Sequence, residues 1–445
     1  MAKQRFAVLS DFVDAIMRRD GRRQDVGSAT RDALSRPAID RISAACHVLM
    51  TRIGDAARVA VAEQALSAYE ELSDDEKLTF FRLLLNDYGV DADEIRGAYQ
   101  TWEQQQDGAA GAALFQVVEP KRQTLLRRLN MAPGATLKLV RMREDLLKAM
   151  RGAPEIAPID QDFAHLLSSW FNRGFLRMQR IDWGTSAAVL ERIMRYESVH
   201  VMQGWADLRR RLNPHDRRMF AFFHPATGDE PLIFVEVALT QGVPDAIATI
   251  LTAPEPDAPA QADTAVFYSI NNSLPGLKGV SFGNFLIKQV ASDLSKELPE
   301  LTRFVTLSPA PGFARWLAAQ ESVRAKALST SLKQQDWLND DAIAEELRPE
   351  VEAFAARYFV TARNQKDAPP DPVARFHLGN GASAWRVNWP ADRSDNAVRA
   401  AHGLMINYLY ELAAIETQHE LFVRDGTVAH GPSLADALQR ISGEE

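Results

Sequence analysis

Thr264-Ala265-Val266-Phe267-Tyr268-Ser269-Ile270 is followed closely by Pro275-Gly276-Leu277-Lys278-Gly279-Val280-Ser281-Phe282-Gly283-Asn284, and then by an amphipathic stretch from Phe285 to about Leu298. The first run is apolar and bounded by turn residues, which predicts a buried strand; the last has helical periodicity. Strand, glycine-rich turn and helix form the layout of a phosphate cradle. Glycines let backbone N–H groups approach an anion, and a helix start adds the positive end of its dipole. Such turns are also common as plain connections, so both readings stand at this point. The spacing matches neither the dinucleotide fingerprint nor a Walker loop, because no Gly-Lys-Ser/Thr follows, which disfavours nicotinamide cofactors and ATP.

Working outward, Met219 to His224 and Leu232 to Leu239 are further short apolar runs, joined by a Pro225 to Pro231 segment that reads as a hairpin connection. Downstream, Arg303 to Leu307 predicts a fourth strand. Helices are expected over roughly 313 to 362, a strand over Ala384 to Trp389, and mostly helix beyond, with Leu404 to Ile415 the clearest helical segment.

Upstream, the first 150 residues read as successive helices. Leu78, Phe81, Leu84, Leu85 and Tyr88 recur on one face, Ser73 and Glu76 make a capping box, and Gly89 ends that helix. Asp160 is expected to cap a helix running through Trp170. With 445 residues the chain exceeds one ordinary core. The expected architecture is α+β: an all-helical domain over 1–160, suited to packing and self-association, and a mixed α/β domain over 161–445.

Composition excludes several classes. Hydrophobic residues at 46% and charged residues at 25% are ordinary globular values. A net charge of -8 argues against broad nucleic-acid binding, so an anionic ligand must meet a local basic patch; Arg209-Arg210-Arg211, Arg217-Arg218, Lys278 and Lys288 are candidates, as are plain surface roles for them. No apolar span reaches membrane length. Neither signal, transit nor peroxisomal address is visible, and the expected location is the cytoplasm of a bacterial cell. Cys46 is the single cysteine and reads as a buried structural thiol, which leaves no disulfide framework and no cysteine-based zinc site.

Two more segments can carry chemistry. In Leu307-Ser308-Pro309-Ala310-Pro311-Gly312 a rigid turn at a strand end holds the Ser308 hydroxyl, either for a site or to satisfy its own turn. In Phe376-His377-Leu378-Gly379-Asn380-Gly381 a lone histidine stands between a proline-rich loop and a strand. Such histidines are usually structural, yet imidazole is the side chain best suited to proton transfer near neutral pH. His200, His215 and His224 lack that setting. No histidine spacing suggests a metal pair, so no metal is expected.

Phe267-Tyr268-Ser269-Ile270 with the Gly turn and Phe285-Leu286-Ile287-Lys288, then Leu307 to Phe313, Pro372 to Ala382, Trp385-Arg386-Val387-Asn388-Trp389 and Gly403 to Tyr410 together resemble malonyl-CoA decarboxylase. The resemblance spans about residues 165 to 412. It implies an acetyltransferase-like (GNAT-type) second domain that converts malonyl-CoA into acetyl-CoA and carbon dioxide. The coenzyme A pyrophosphate would be held by Gly276, Lys278, Gly279, Val280, Ser281, Phe282, Gly283 and Asn284, with Ser308 and His377 as catalytic pair and Tyr410 in support. Animal members carry a glutamate where this chain has Ser281, so no acidic role is expected there. Because a thioester is already an electron sink, no cofactor beyond the substrate's coenzyme A is needed, neither biotin nor pyridoxal phosphate. Homo-oligomerisation through the helical domain is expected. Rival functions are a coenzyme A-dependent acyltransferase and a non-catalytic acyl-CoA sensor.

Overall fold

The computed structural model describes residues 36–442 apart from 260 and 281–285. The chain divides into two compact units. One is Met1–Leu176 with two short returning segments, His224–Gly228 and Leu274–Ser281; the other is Arg177–Phe223, Asp229–Ser273 and Phe282–Glu445.

The first unit is helical: α1 (Ala38–Leu49), α2 (Asp55–Glu70), α3 (Asp74–Asp87), α4 (Ala92–Gln105), α5 (Gly108–Val118), α6 (Lys121–Leu129), α7 (Ala135–Ala149) and α8 (Ala157–Trp170). Helix α3 starts at the expected capping box: Ser73 Oγ accepts from the Glu76 backbone N–H, and the Glu76 carboxylate accepts from Ser73 N at 2.9 Å. It stops one residue before Tyr88. Cys46 is buried on α1, and burial raises its thiol pKa to about 12, as befits an inert structural residue. Helix α8 begins at Ala157, not at Asp160. Pro158 occupies the first turn, where a missing N–H costs nothing, and Asp160 instead accepts from Arg143 Nε at 2.7 Å.

The returning segment that carries the start of the glycine-rich turn is part of this unit for a steric reason. Gly276 lies against α7 so closely that a Cβ would fall 1.9 Å from the Val140 carbonyl oxygen. Its own carbonyl accepts from Arg143 Nη1 at 2.8 Å. Only glycine permits that approach of two backbones.

The second unit is built on an eight-stranded sheet in the order β1-β2-β3-β4-β5-β8-β6, with β7 paired to β8. The strands are β1 (Arg177–Ile181), β2 (Arg217–Phe223), β3 (Pro231–Thr240), β4 (Thr264–Asn272), β5 (Arg303–Thr306), β6 (Ser308–Pro309), β7 (Ser383–Asn388) and β8 (Met405–Leu409). The first four are antiparallel, and β2 and β3 are buried nearly throughout, as their continuous apolar runs require. Strand β5 joins β4 in parallel, from Thr264 opposite Arg303 to Phe267 opposite Thr306. The crossover between them uses α12 (Leu286–Glu297). Beyond Phe267, β4 runs on to Asn272 without β5 beside it, so the two strands part at their C-terminal ends.

Two expectations fail here. Leu404 to Ile415 is not a helix, because Met405–Leu409 is β8, a strand flanked on one side by β5 and β6 and on the other by β7. A short apolar run buried on both faces carries no period that separates helix from strand. Strand β1 is unanticipated: it is an edge strand, largely exposed, with no apolar run to mark it.

Candidate active site

Where β5 gives way to β6, Thr306 and Ser308 project to the same side, as alternate strand residues do. Ser308 Oγ donates to Thr306 Oγ1 at 2.9 Å, and Thr306 Oγ1 also accepts from Tyr408 N at 3.1 Å. His377 comes from α16 (Pro372–Gly379), the last helix before β7, preceded by α9 (Ala187–Tyr196), α10 (Trp205–Arg211), α11 (Ala248–Leu251), α13 (Phe313–Ala318), α14 (Val323–Gln334) and α15 (Asp341–Ala356). It is 3% exposed.

The imidazole bridges the other two implied residues. Its Nε2 lies 3.0 Å from Ser308 Oγ and its Nδ1 2.9 Å from the Tyr410 hydroxyl, while its face stacks on Tyr408 with centroids 4.6 Å apart. Tyr410 is set in place by its backbone, whose N–H donates to Phe304 O at 2.8 Å. Residues 308, 377 and 410, distant along the chain, thus form one hydrogen-bonded row in the second unit.

No charge touches this row. Burial pulls the His377 pKa down to about 3 and pushes the Tyr408 and Tyr410 phenols well above their ordinary range, so all three are neutral near pH 7. The site is a chain of neutral donors and acceptors in a dry setting, able to hydrogen-bond and pass a proton, without a fixed cation to hold a carboxylate.

Asp371, missed from sequence, ties the Ser308 turn to the His377 helix. It is fully buried and caps α16, accepting from Val373 N at 2.8 Å and Ala374 N at 3.0 Å through Oδ1. Oδ2 accepts from Tyr358 OH at 2.8 Å and from Gly312 N, the end of the Ser308 turn, at 3.4 Å. At Gly312 a Cβ would sit 2.4 Å from the Tyr358 hydroxyl, so that turn and this network fit only through glycine. The Asp-Pro pair at 371 and 372 is a helix-start signal that could have revealed the cap. Nothing local marks Tyr358 as its companion, or Thr306 as that of Ser308.

Of the glycine-turn candidates, Pro275–Leu277 form a 3-10 turn, Lys278 is exposed, Gly279 has a φ of 79° and Val280 is buried. Ser281, Phe282, Gly283 and Asn284 lie outside the described residues. The arginine candidates are committed elsewhere. Arg210 makes a two-pronged pair with Asp216 at 2.8 and 2.7 Å, Arg217 also pairs with Asp216, Arg218 with Glu297, and Lys288 with Glu416. Arg209 lies over the Trp183 ring.

Arg211 belongs to a second buried polar cluster. Its Nη1 reaches both Glu236 oxygens at 3.3 and 3.1 Å, and its Nη2 donates to His200 O at 2.6 Å. Glu197 accepts from Ser269 Oγ at 2.8 Å and Asn271 Nδ2 at 2.7 Å. Burial, then the neighbouring Glu197 charge, raises Glu236 to about 8, whereas Glu197, despite its burial, is held below the usual carboxylate range by a hydrogen bond from Glu236 and by backbone and hydroxyl donors. Among the described residues no group of three or more histidines, cysteines and carboxylates could hold a metal ion, and no helix is long and apolar enough to cross a membrane.

Comparison with known proteins follows the same division. Residues 174–444 match the malonyl-CoA decarboxylase C-terminal domain, and residues 88–171 match the N-terminal domain of the same family. The chain is 32% identical to the mitochondrial malonyl-CoA decarboxylase of Rattus norvegicus over 363 residues, 73% of each chain, and 33% identical to that of Anser anser anser over 326 residues, 66% of this chain and 64% of the relative. The crystal structure of the malonyl-CoA decarboxylase from Rhodopseudomonas palustris superposes with a TM-score of 0.86 at 47% identity, covering 89% of this chain and 99% of that one. The Cupriavidus metallidurans structure superposes with a TM-score of 0.69 at 31% identity, covering 91% and 100%.

Proposed function

We propose a mechanism on the premise that this chain belongs to the malonyl-CoA decarboxylase family, a helical domain followed by an acetyltransferase-like domain. The reaction is loss of carbon dioxide from malonyl-CoA to leave acetyl-CoA. The observation that carries the residue roles is the row in which His377 stands between Ser308 and Tyr410.

As the malonyl Cα–carboxylate bond breaks, its electron pair moves into the thioester carbonyl, giving carbon dioxide and an enolate. Protonation at carbon, using the one proton the overall reaction consumes, then gives acetyl-CoA. Ser308 hydrogen-bonds the malonyl carboxylate and holds it perpendicular to the thioester plane, the orientation in which that electron pair overlaps the carbonyl. A neutral hydroxyl suits this task better than a cation, because the carboxylate must lose its charge in the transition state and a salt bridge would stabilise the ground state more. His377 delivers the proton. While Nε2 releases one to carbon, Nδ1 takes one from Tyr410, so the imidazole stays neutral and the enolate's negative charge passes to the phenol, a stronger acid than an imidazole N–H, until a proton from solvent discharges it as the product leaves. Backbone N–H groups meet the oxyanion.

The coenzyme A moiety is the only cofactor-like group this scheme uses, and the glycine turn over Gly276 and Lys278 to Asn284 is its proposed cradle. Incubation with malonyl-CoA and no acyl acceptor tests the reading: release of carbon dioxide with equimolar acetyl-CoA is expected, and binding without turnover, or turnover only with an amine acceptor, would overturn it. Self-association is assigned to the helical unit, where Tyr99, Trp102, Phe115 and Val118 are exposed on α4 and α5; light scattering should show an oligomer that Phe115→Glu weakens, and a monomeric wild type would refute this.

A further inference from the structure

Within the second unit a cavity of about 630 Å³ lies at α13, α14 and α17 (Asp395–Ala401), and none of the catalytic row lines it. Its volume is that of a small-molecule site. Arg315, Lys333 and Arg399 contribute three cations to its wall against one carboxylate, Asp395, with Val398 and His402 between them.

The pairing of these cations sets them apart. Arg210, Arg211, Arg217 and Arg218 all end on carboxylates, whereas among the described residues neither Arg315 nor Lys333 has a hydrogen-bonding or ion-pair partner, and Arg399 reaches only the Asn396 side-chain oxygen at 3.1 Å. Exposed cations are ordinarily solvated and need no partner. His402 is different: it is 6% exposed, holds a left-handed φ of 51°, and its Nε2 is buried without any hydrogen-bond partner. Buried polar atoms are nearly always satisfied, so an orphan at the wall of a cation-rimmed cavity points to a ligand. Burial and then the Lys333 charge lower the His402 pKa to about 4, so the ring is neutral and presents one N–H donor and one acceptor.

We propose that this cavity binds a small, multiply charged anion of the phosphate-ester or pyrophosphate class, gripped by Arg315, Lys333 and Arg399, as a site separate from that of the thioester substrate. Arginine and lysine together suit the planar oxygens and net charge of phosphate groups, and the apolar wall at Val398 accommodates a short organic stem. The same chemistry is carried by the diphosphate of coenzyme A, and the test separates the two sources.

The full chain is titrated calorimetrically with inorganic pyrophosphate at constant ionic strength. Saturable binding is expected, weakened at least about tenfold in the Arg315→Gln, Lys333→Gln double variant, since charge-assisted hydrogen bonds are the strong ones, with malonyl-CoA turnover unchanged. Binding should persist in saturating coenzyme A, and the His402 ring resonances should shift on addition of pyrophosphate. If the double variant does not fold, Arg399→Gln replaces it, with a loss of at least about threefold. Absence of saturable binding, equal affinity in the variants, or displacement of pyrophosphate by coenzyme A would overturn the proposal.

Discussion

Replacing Asp371 probes whether the Ser308 turn and the His377 helix are held in register by one buried carboxylate. In Asp371→Ala, α16 loses its N-cap, worth about 1 kcal/mol. The Tyr358 hydroxyl, buried and bonded to Asp371 Oδ2 at 2.8 Å, is left unsatisfied, at about 1 to 3 kcal/mol. The Gly312 N–H contact at 3.4 Å is long and adds little. The loss is then about 2 to 4 kcal/mol, which differential scanning calorimetry reads as a lower midpoint. Kinetics give the sharper test. Because the His377 and Ser308 segments would shift relative to each other, kcat should fall about tenfold to a hundredfold, with the malonyl-CoA KM little changed. Asp371→Asn keeps an oxygen for Val373 N and Ala374 N, so it should restore most of the lost rate. The reasoning fails if the alanine variant keeps wild-type kcat, or if asparagine is as damaging as alanine.

His377→Ala and Ser308→Ala should each lower turnover by ~10² to 10⁴ with coenzyme A affinity nearly intact; full activity in either folded variant would remove that residue from the mechanism. Since burial lowers the His377 pKa to about 3, the native state resists a proton that the unfolded chain accepts near 6.5. Stability from this group is therefore present above about 6.5 and lost as pH falls toward 3, and His377→Gln should flatten that acid limb in urea titrations; an unchanged limb would contradict a neutral buried ring. Glu236 works in the opposite sense. Its pKa is raised from 4.5 to about 8, so its contribution is complete below about 4.5 and lost as pH rises toward 8, and Glu236→Gln should show a shallower decline between pH 5 and 8, measured by the same titration.

Much of this was legible in the sequence where local chemistry decides structure. The capping box at Ser73 and Glu76, the apolar runs of β2 and β3 and the strand leading into the glycine turn each carry a signal in adjacent residues. Where tertiary context decides, the signal vanishes. Met405–Leu409 is a strand because β5, β6 and β7 flank it, and its own residues do not say so. Arg177–Ile181 pairs with β2 through its backbone, with Ile181 its one fully buried side chain and Arg177, Gln179 and Arg180 facing water, so no apolar run marks it. At the site, Ser308, His377 and Tyr410 were named through a family resemblance, and their hydrogen-bonded row is visible only in three dimensions. The basic residues illustrate the converse: Arg210, Arg217 and Arg218 looked available for an anion, yet their partners Asp216 and Glu297 are brought to them by the fold.

The place of β8 in the sheet bears on how the protein is made. Val305 pairs with Leu409, so β5 is synthesised roughly a hundred residues before its neighbour, an interval of about 5 to 20 s at the ribosome. Until β8 arrives, that side of the nascent sheet is an open apolar edge, and His377 has no Tyr410 or Tyr408 to meet. The Ser308, His377 and Tyr410 row therefore comes together only late in synthesis, and chaperone occupancy during translation should centre on the stretch between β5 and β8.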